Sequence, residues 1–308
     1  MAHSGHNRYL SLNAYLKERF GCRVQKIPLD AGLTCPNRDG TKGTGGCLYC
    51  NSLGSGTGAH AYVPDVAEQM LKGMAFYATR SKAQKFIAYF QSFTNTYAPL
   101  KHLEKLYRSA LVSEDVVGLS VSTRPDCITD EILSLLEELA QERMVWVEYG
   151  LQSAHDTTLD RIHRGHTFQD FLTAVELTRG RSILICAHMI LGLPGEDASH
   201  MRETARKISG LGLNGLKLHL LYVLKGTALE KLYLEGGYRC LEMDEYADLV
   251  VDFLERVPDD VVVQRLTGDP SPVTDLMAPR WALEKQKVLS LIHRKFESRD
   301  TWQGKYAP

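Results

Sequence analysis

No apolar run in this chain approaches the roughly 20 residues that cross a bilayer. Its first residues, Met1 to Arg8 with His3 and His6 among them, lack the apolar stretch of a secretory signal. These absences predict a cytoplasmic protein with no membrane partner. A disulfide framework is missing too: the seven cysteines are odd in number, and three fall within 16 residues while four lie far apart, which suits reduced thiols and a metal better. Neither sign of charge dominates, with 36 Lys and Arg against 37 Asp and Glu, so no global positive field advertises a nucleic-acid binder. Low-complexity tracts and internal repeats are absent as well. What remains is a globular composition, 44% hydrophobic and 24% charged over 308 residues, enough for one large domain with appendages.

Short runs rich in Val, Ile and Leu alternate with longer stretches of helical period. Strands are predicted over Val24 to Leu29, Phe86 to Phe90, Val117 to Val121, Val145 to Gly150, Ile183 to Ile190 and Gly215 to Leu221. Between the third and fourth, Thr129 to Arg143 places Ile132, Leu135, Leu136 and Leu139 on one helical face behind a capping Thr129-Asp130 start. Six strand-helix units in sequence predict a parallel sheet with right-handed crossovers, either part of an eight-stranded barrel or a doubly wound open sheet. Polar and glycine-containing motifs after most of the strands favour the barrel, whose site is built from strand C-termini around one mouth. The predicted organisation is an N-terminal helical segment over 1–23, a core over 24–257, and a C-terminal extension over 258–308 that opens with Val261 to Leu266 and ends in the helix-like Trp281 to Phe296.

The loop after the first strand carries Cys35, Cys47 and Cys50, with four glycines between the first two that let it fold closely around something bulky. Three thiolates leave one iron of a 4Fe-4S cube open to a further ligand, whereas a structural zinc wants four protein ligands. Spacing alone leaves both readings standing, with His60 or Cys22 as the fourth zinc ligand. Cys22, Cys127, Cys186 and Cys240 have no partner at ligand spacing and read as packing residues.

Seven ordered phrases then resemble one family: Cys-Pro-Asn-Arg-Asp-Gly (35 to 40), Ala-Tyr-Phe-Gln-Ser-Phe-Thr-Asn-Thr (88 to 96), Thr-Arg-Pro-Asp-Cys (123 to 127), Gly-Leu-Gln-Ser (150 to 153), Arg-Gly-His (164 to 166), Gly-Leu-Pro-Gly-Glu (192 to 196) and Leu-Lys-Gly-Thr (224 to 227). Over roughly Val24 to Leu229 the chain is similar to the radical S-adenosylmethionine (SAM) superfamily, in the branch shared with the elongator catalytic subunit and oxygen-independent coproporphyrinogen oxidase, and most of all to the YhcC/YtqA-type family. The resemblance implies an α/β fold, a partial TIM-like (β/α)6 radical SAM barrel with a C-terminal extension. It also implies a 4Fe-4S cluster on Cys35, Cys47 and Cys50, SAM as the second cofactor, and reductive cleavage of SAM to a 5'-deoxyadenosyl radical that abstracts hydrogen from a substrate.

Carried onto this sequence, the family pattern puts Tyr49, between the last two cysteines, beside adenine. Where relatives carry a glycine-rich turn for the SAM ammonium, this chain offers Gln91, Ser92 and Thr94, whose amide and hydroxyls can partner an ammonium or carboxylate. Ser122 stands where relatives often have Glu. The twelve-residue spacing of Gln152 and Arg164 matches the pair that holds the SAM ribose and carboxylate, and the planar fork of Arg suits a carboxylate. Glu148 is placed on the inward face of its strand, where it needs a partner to offset desolvation. His188 is a further cofactor-side candidate, beside its ordinary reading as a hydrogen-bonded core histidine. Arg124 with Asp126 reads equally as an ion pair or a ligand contact, and Lys217, His219 and Lys225 are candidates for an anionic substrate.

By the same resemblance the substrate is a tRNA wobble uridine already carrying a 5-substituent, with an unidentified electron donor as second partner. Met277 to Pro308 holds seven Lys and Arg against three acids, with Trp281, Trp302 and Tyr306 interleaved, which fits phosphate and unpaired bases; an amphipathic helix closing the barrel accounts for Trp281 to Phe296 equally well. A radical enzyme acting on a small metabolite or porphyrin-like substrate, and a non-catalytic metal-binding module that recognises RNA, are the alternatives. The oligomeric state has no signature in the sequence.

Overall fold

The computed structural model describes residues 8–54, 56, 58–270 and 275–308; the first seven residues of the predicted N-terminal segment lie outside it. Seven strands form one parallel sheet: β1 (Val24–Leu29), β2 (Lys85–Phe90), β3 (Val116–Thr123), β4 (Met144–Gln152), β5 (Leu184–Leu191), β6 (Gly215–Leu220) and, in the same sheet, Val262–Arg265. Six strands are predicted from the sequence, and the seventh comes from the segment assigned to the C-terminal extension. Its register against β6, Gly215 opposite Val262 and Leu216 opposite Val263, is a long-range pairing that no local pattern reports. The strands run in sequence order, all parallel, so the sheet curls into a half-barrel with an open seam between its first and last strands.

The helix α1 (Leu12–Phe20) closes the floor of the barrel, and further helices follow in chain order: α2 (Val66–Ser81), α3 (Leu100–Ala110), α4 (Asp130–Ala140), α5 (Asp156–Arg161), α6 (Phe168–Thr178), α7 (Ala198–Ser209), α8 (Ala228–Leu234) and α9 (Met243–Leu254). A two-stranded antiparallel ribbon pairs β7 (Val223–Leu224) with Leu276–Ala278, so the strand at Val262–Arg265 is β8 and the ribbon's second strand β9. The helix predicted between β3 and β4 is α4, capped by Thr129, whose hydroxyl accepts the Ile132 N–H at 3.3 Å. Trp281 to Phe296 is not one helix. A 3-10 turn over Arg280–Leu283 precedes α10 (Lys285–Ser298), because Glu284 departs from helical geometry at φ −97°, ψ 46°. No helix among the described residues is long and apolar enough to cross a membrane.

Side-chain parity divides each strand between two environments. Phe86, Ala88 and Phe90 of β2, Val145, Val147 and Tyr149 of β4, Ile185, Ala187 and Met189 of β5, and Leu216 and Leu218 of β6 enter one large core between sheet and helices. Each fully buried aliphatic side chain there contributes on the order of 1.5–3 kcal/mol. Alternate residues face the barrel interior. At its floor Leu16, Val24, Ile87, Met144, Trp146, Cys186 and Val262 form a small apolar cluster. One step along the same parity are Lys26, Tyr89, Ser120, Ser122, Glu148, His188 and Lys217, so the layer towards the strand C-termini is polar.

The two ends of the chain meet beside the seam. Leu10 O accepts the Val263 N–H at 2.8 Å and Arg8 O accepts the Gln303 N–H at 2.9 Å, while α1 packs against both β1 and β8. The Gln303 side chain, wholly buried, accepts from Leu10 N at 3.0 Å and donates to Pro258 O at 2.6 Å and Val261 O at 2.8 Å. Beyond the sheet, α10 buries Val288, Ile292 and Phe296. Its Lys295 reaches Asp244 at 2.8 Å and Asp248 at 3.1 Å, and Arg299 reaches Asp252 at 2.7 Å and Asp248, all on α9. Much of the positive surplus read near the C-terminus is therefore spent on an acidic helix of the same chain.

Candidate functional site

Cys35, Cys47 and Cys50 are free thiols that line one cavity of about 340 Å³ at the C-terminal mouth of the half-barrel. The same cavity is lined by Tyr49, Gln91, Thr94, Ser122, Glu148, Gln152, Arg164 and His188, so the structure brings together eight of the nine residues that the sequence assigned to cofactor binding. Ser92 sits behind the wall, buried, with its hydroxyl 1.9 Å from where a side chain at Gly56 would begin. Lys225 is exposed and stands apart; His219 lines the cavity.

The thiol loop is tied down by polar contacts. Cys50 N–H donates to Cys47 O at 2.9 Å, closing the Cys-x-x-Cys turn, and Gly46 N–H donates to Asn37 O at 2.8 Å. Arg38 donates to Cys50 O at 3.0 Å and Asn51 O at 2.5 Å. The Asn37 amide donates to Cys47 Sγ at 3.6 Å and to the carbonyls of His163 and Arg164 at 2.8 and 2.9 Å. Arg164 donates from Nη1 to Cys47 Sγ at 3.4 Å and from Nη2 to Gly150 O at 2.7 Å. Burial alone would raise the Cys47 thiol, but the guanidinium of Arg164 outweighs it and holds the pKa below the ordinary cysteine value. Cys50, without that neighbour, is pushed up by burial and by the Cys47 sulfur.

Gly150 is what lets Arg164 lie so close. A Cβ there would stand 2.7 Å from Arg164 Nη2 and 2.8 Å from Gln152 Nε2. Gln152 itself has φ 79°, a left-handed conformation that a side chain rarely adopts and that marks strain at the end of β4. Arg124 and Asp126 form the ion pair that was one of two readings: Nε to Oδ1 and Nη2 to Oδ2, both 2.9 Å, with Lys42 on the same carboxylate at 2.5 Å. Asp126 is held down at about 2, burial being outweighed by Arg124.

Glu148 is completely buried and its acceptors are already engaged. Lys26 reaches Oε1 at 2.5 Å, Lys217 and the His188 ring reach Oε2, the latter at 2.6 Å, and Ser120 donates to Oε1. Burial would raise this carboxyl, but the ammonium groups of Lys217 and Lys26 hold it well below the usual carboxylate range. His188 is lowered to about 4 by burial and by Lys217, so it is neutral and donates from Nε2. The Cys186 thiol comes within 4.8 Å of Glu148 and His188 ligand atoms, but two lysines on the same carboxylate make the spot cationic and unfit for a metal ion.

Lys26, Tyr89, Asn37 and Arg265 were missed in the sequence. Lys26 is the one charged residue on its strand, and its parity with Val24 was the available signal. Arg265 lines the cavity from β8.

The donor chemistry fits a three-thiolate cluster with SAM beside it. Three thiols face one cavity, one of them acidified by a buried guanidinium, and the buried hydroxyl of Thr94 on the same wall has no protein partner. Neither fourth ligand of the zinc reading joins them. Cys22 precedes β1, whose six residues span about 20 Å to the thiol loop. The His60 ring packs against Gly32, where a Cβ would stand 2.4 Å from its Nε2.

A family model described as "Radical SAM superfamily" matches residues 38–208, and one described as "Radical_SAM C-terminal domain" matches 213–298. The "Uncharacterized protein YtqA" of Bacillus subtilis is 42% identical over 299 residues, covering 97% of this chain and 92% of that protein. A "tRNA uridine(34) acetyltransferase" of Methanocaldococcus jannaschii is 24% identical over 184 residues, 59% of this chain but 33% of that protein. Among solved structures, the Methanocaldococcus infernus Elp3 lacking its N-terminus superposes with a TM-score of 0.71 at 16% identity, over 91% of this chain and 64% of that one, a likeness of fold.

Proposed function

This chain belongs to the radical SAM superfamily and is an enzyme using a 4Fe-4S cluster and SAM; from that premise we propose that its substrate is a tRNA wobble uridine carrying a 5-substituent. When bound, the two cofactors supply a 5'-deoxyadenosyl radical by one-electron cleavage of SAM. Cys35, Cys47 and Cys50 would hold the cluster. Arg164 and Asn37 keep the Cys47 sulfur anionic and oriented, with Gly150 admitting Arg164 to its place. Gln91 and Thr94 offer an amide and a hydroxyl to the charged groups of SAM. Beyond them Glu148 is committed to Lys26, Lys217 and His188, which fixes the cavity wall and leaves the carboxylate no part in SAM binding.

The observation that carries the substrate reading is the other part of the cavity lining. His219, with its buried Nε2 unpartnered, Tyr222 and Arg265 face the same space as the thiols, and so offer hydrogen-bonding, stacking and cationic groups to a polar nucleoside with an acidic substituent. The partial likeness to a protein named as acting on tRNA uridine 34 supports the same choice. The setting is the cytoplasm, with an electron donor of its own as second partner. Anaerobically reconstituted enzyme, given SAM, a reductant and tRNA lacking the final wobble modification, should consume one wobble nucleoside and form another by mass spectrometry. Unchanged tRNA alongside steady 5'-deoxyadenosine formation would turn the reading to a small-molecule substrate.

A further inference from the structure

A second cavity, of about 620 Å³, opens at the seam between β1 and β8, floored by Ser11, Asn13 and Leu16 from the α1 region. It shares Tyr89, Gln91, Arg265 and Asp269 with the cofactor cavity, so the two adjoin. Five cations line it, Arg23, Lys26, Lys217, Arg265 and Lys285, against one acid, Asp269. Adding Glu148 behind Lys26 and Lys217 still leaves a surplus of three positive charges in one concave space, on a chain whose formal net charge is −1.

Donor capacity narrows the ligand. Lys26 is saturated, with Glu148 at 2.5 Å, Gln264 Oε1 at 2.6 Å and Ser120 at 3.2 Å. Lys217 uses one acceptor, Glu148, and lies 4.0 Å from the Tyr89 ring centre. Arg265 has only a 3.9 Å contact with Asp269, and the buried Nε2 of Gln264 has no acceptor. A guanidinium fork, an ammonium and an amide N–H with donors to spare suit a multiply charged oxyanion; a lone carboxylate would leave most of the surplus unmet. Tyr9, Tyr77 and Tyr89 on the walls add aromatic surface of the size a base requires.

We propose that the seam cavity is a phosphate site, in which Arg265, Lys217 and Gln264 hold a phosphate group of the substrate while Arg23 and Lys285 draw it in from the rim. This deepens the nucleic-acid reading and rests on it for the class of substrate, but phosphate binding and tRNA conversion are read separately and can fail separately. The phosphate belongs either to an RNA backbone or to a free nucleotide.

The test is calorimetric titration of cluster-loaded enzyme with uridine 5'-monophosphate, uridine and inorganic pyrophosphate. The monophosphate should bind about tenfold more tightly than uridine, pyrophosphate should displace it, and the preference should vanish in Arg265→Gln. Lys285→Gln serves as the variant that keeps its fold, since it replaces a half-exposed side chain whose ion pair with Asp269 is itself half-exposed and contributes little; it should weaken monophosphate and leave uridine unchanged. Equal affinity for uridine and its monophosphate, or a preference that survives both substitutions, overturns the proposal. Displacement of the monophosphate by a short oligouridylate supports the site with an RNA phosphate in it. Failure of the oligonucleotide to compete supports the site for a free nucleotide and overturns its RNA half.

Discussion

Among the three thiols, Cys47 is the one held by an amide, a guanidinium and a backbone turn together. Cys47→Ala should therefore abolish both the cluster's visible absorbance and 5'-deoxyadenosine formation, and retained cleavage would contradict the ligand assignment. Gly150→Ala reaches the same sulfur indirectly: its methyl group collides with Arg164 and Gln152, so SAM cleavage should fall by roughly tenfold or more while the fold survives, as judged by circular dichroism. Asp126 offers a pH test. Its pKa falls from 3.8 unfolded to about 2 folded, so its stabilisation is complete above about pH 4 and is lost as pH drops towards 2. Asp126→Asn should flatten that part of the acid-unfolding curve; an unchanged curve would mean the pair with Arg124 does not persist in solution. These residues differ in how far the sequence revealed them. Cys35, Cys47, Cys50, Gln152 and Arg164 sit in short motifs whose spacing is itself the signal. Lys26 does not, because the carboxylate that gives it meaning lies 122 residues away.

At the scale of elements, period and parity carried most of the information. The positions of β1 to β6, to within two residues at each end, and the cap of α4 follow from apolar runs and a threonine, both local signals. The break between Leu283 and Lys285 and the membership of β8 in the main sheet depend on what those segments pack against, which local patterns do not contain. For α10 the apolar face should dominate: Phe296→Ala, in a fully buried site, should cost about 3–5 kcal/mol in chemical denaturation. Lys295→Ala, losing partly exposed ion pairs to Asp244 and Asp248, should cost less than about 1 kcal/mol. Comparable losses would mean that charge, not packing, seats this helix on α9.

For the whole molecule, the half-barrel has an apolar floor, a polar paired layer and an open mouth, and Glu148 joins β1, β4, β5 and β6 through Lys26, His188 and Lys217. Glu148→Gln would leave two buried ammonium groups without their counter-charge, and should lower stability by about 3–5 kcal/mol, partly restored by adding Lys217→Met. Global denaturation measures both.

The clasp between the chain ends sets an order of assembly. Gln303 meets Leu10 across 293 residues, so the seam cannot be completed until Gln303 has left the ribosome. At about 5–20 residues per second, β6 waits a few seconds with an unpaired edge while the roughly 40 residues that separate it from β8 are made. The interior that receives the cofactors is thus walled only after Gln303 has emerged, and insertion of the cluster into a fully walled site follows that step.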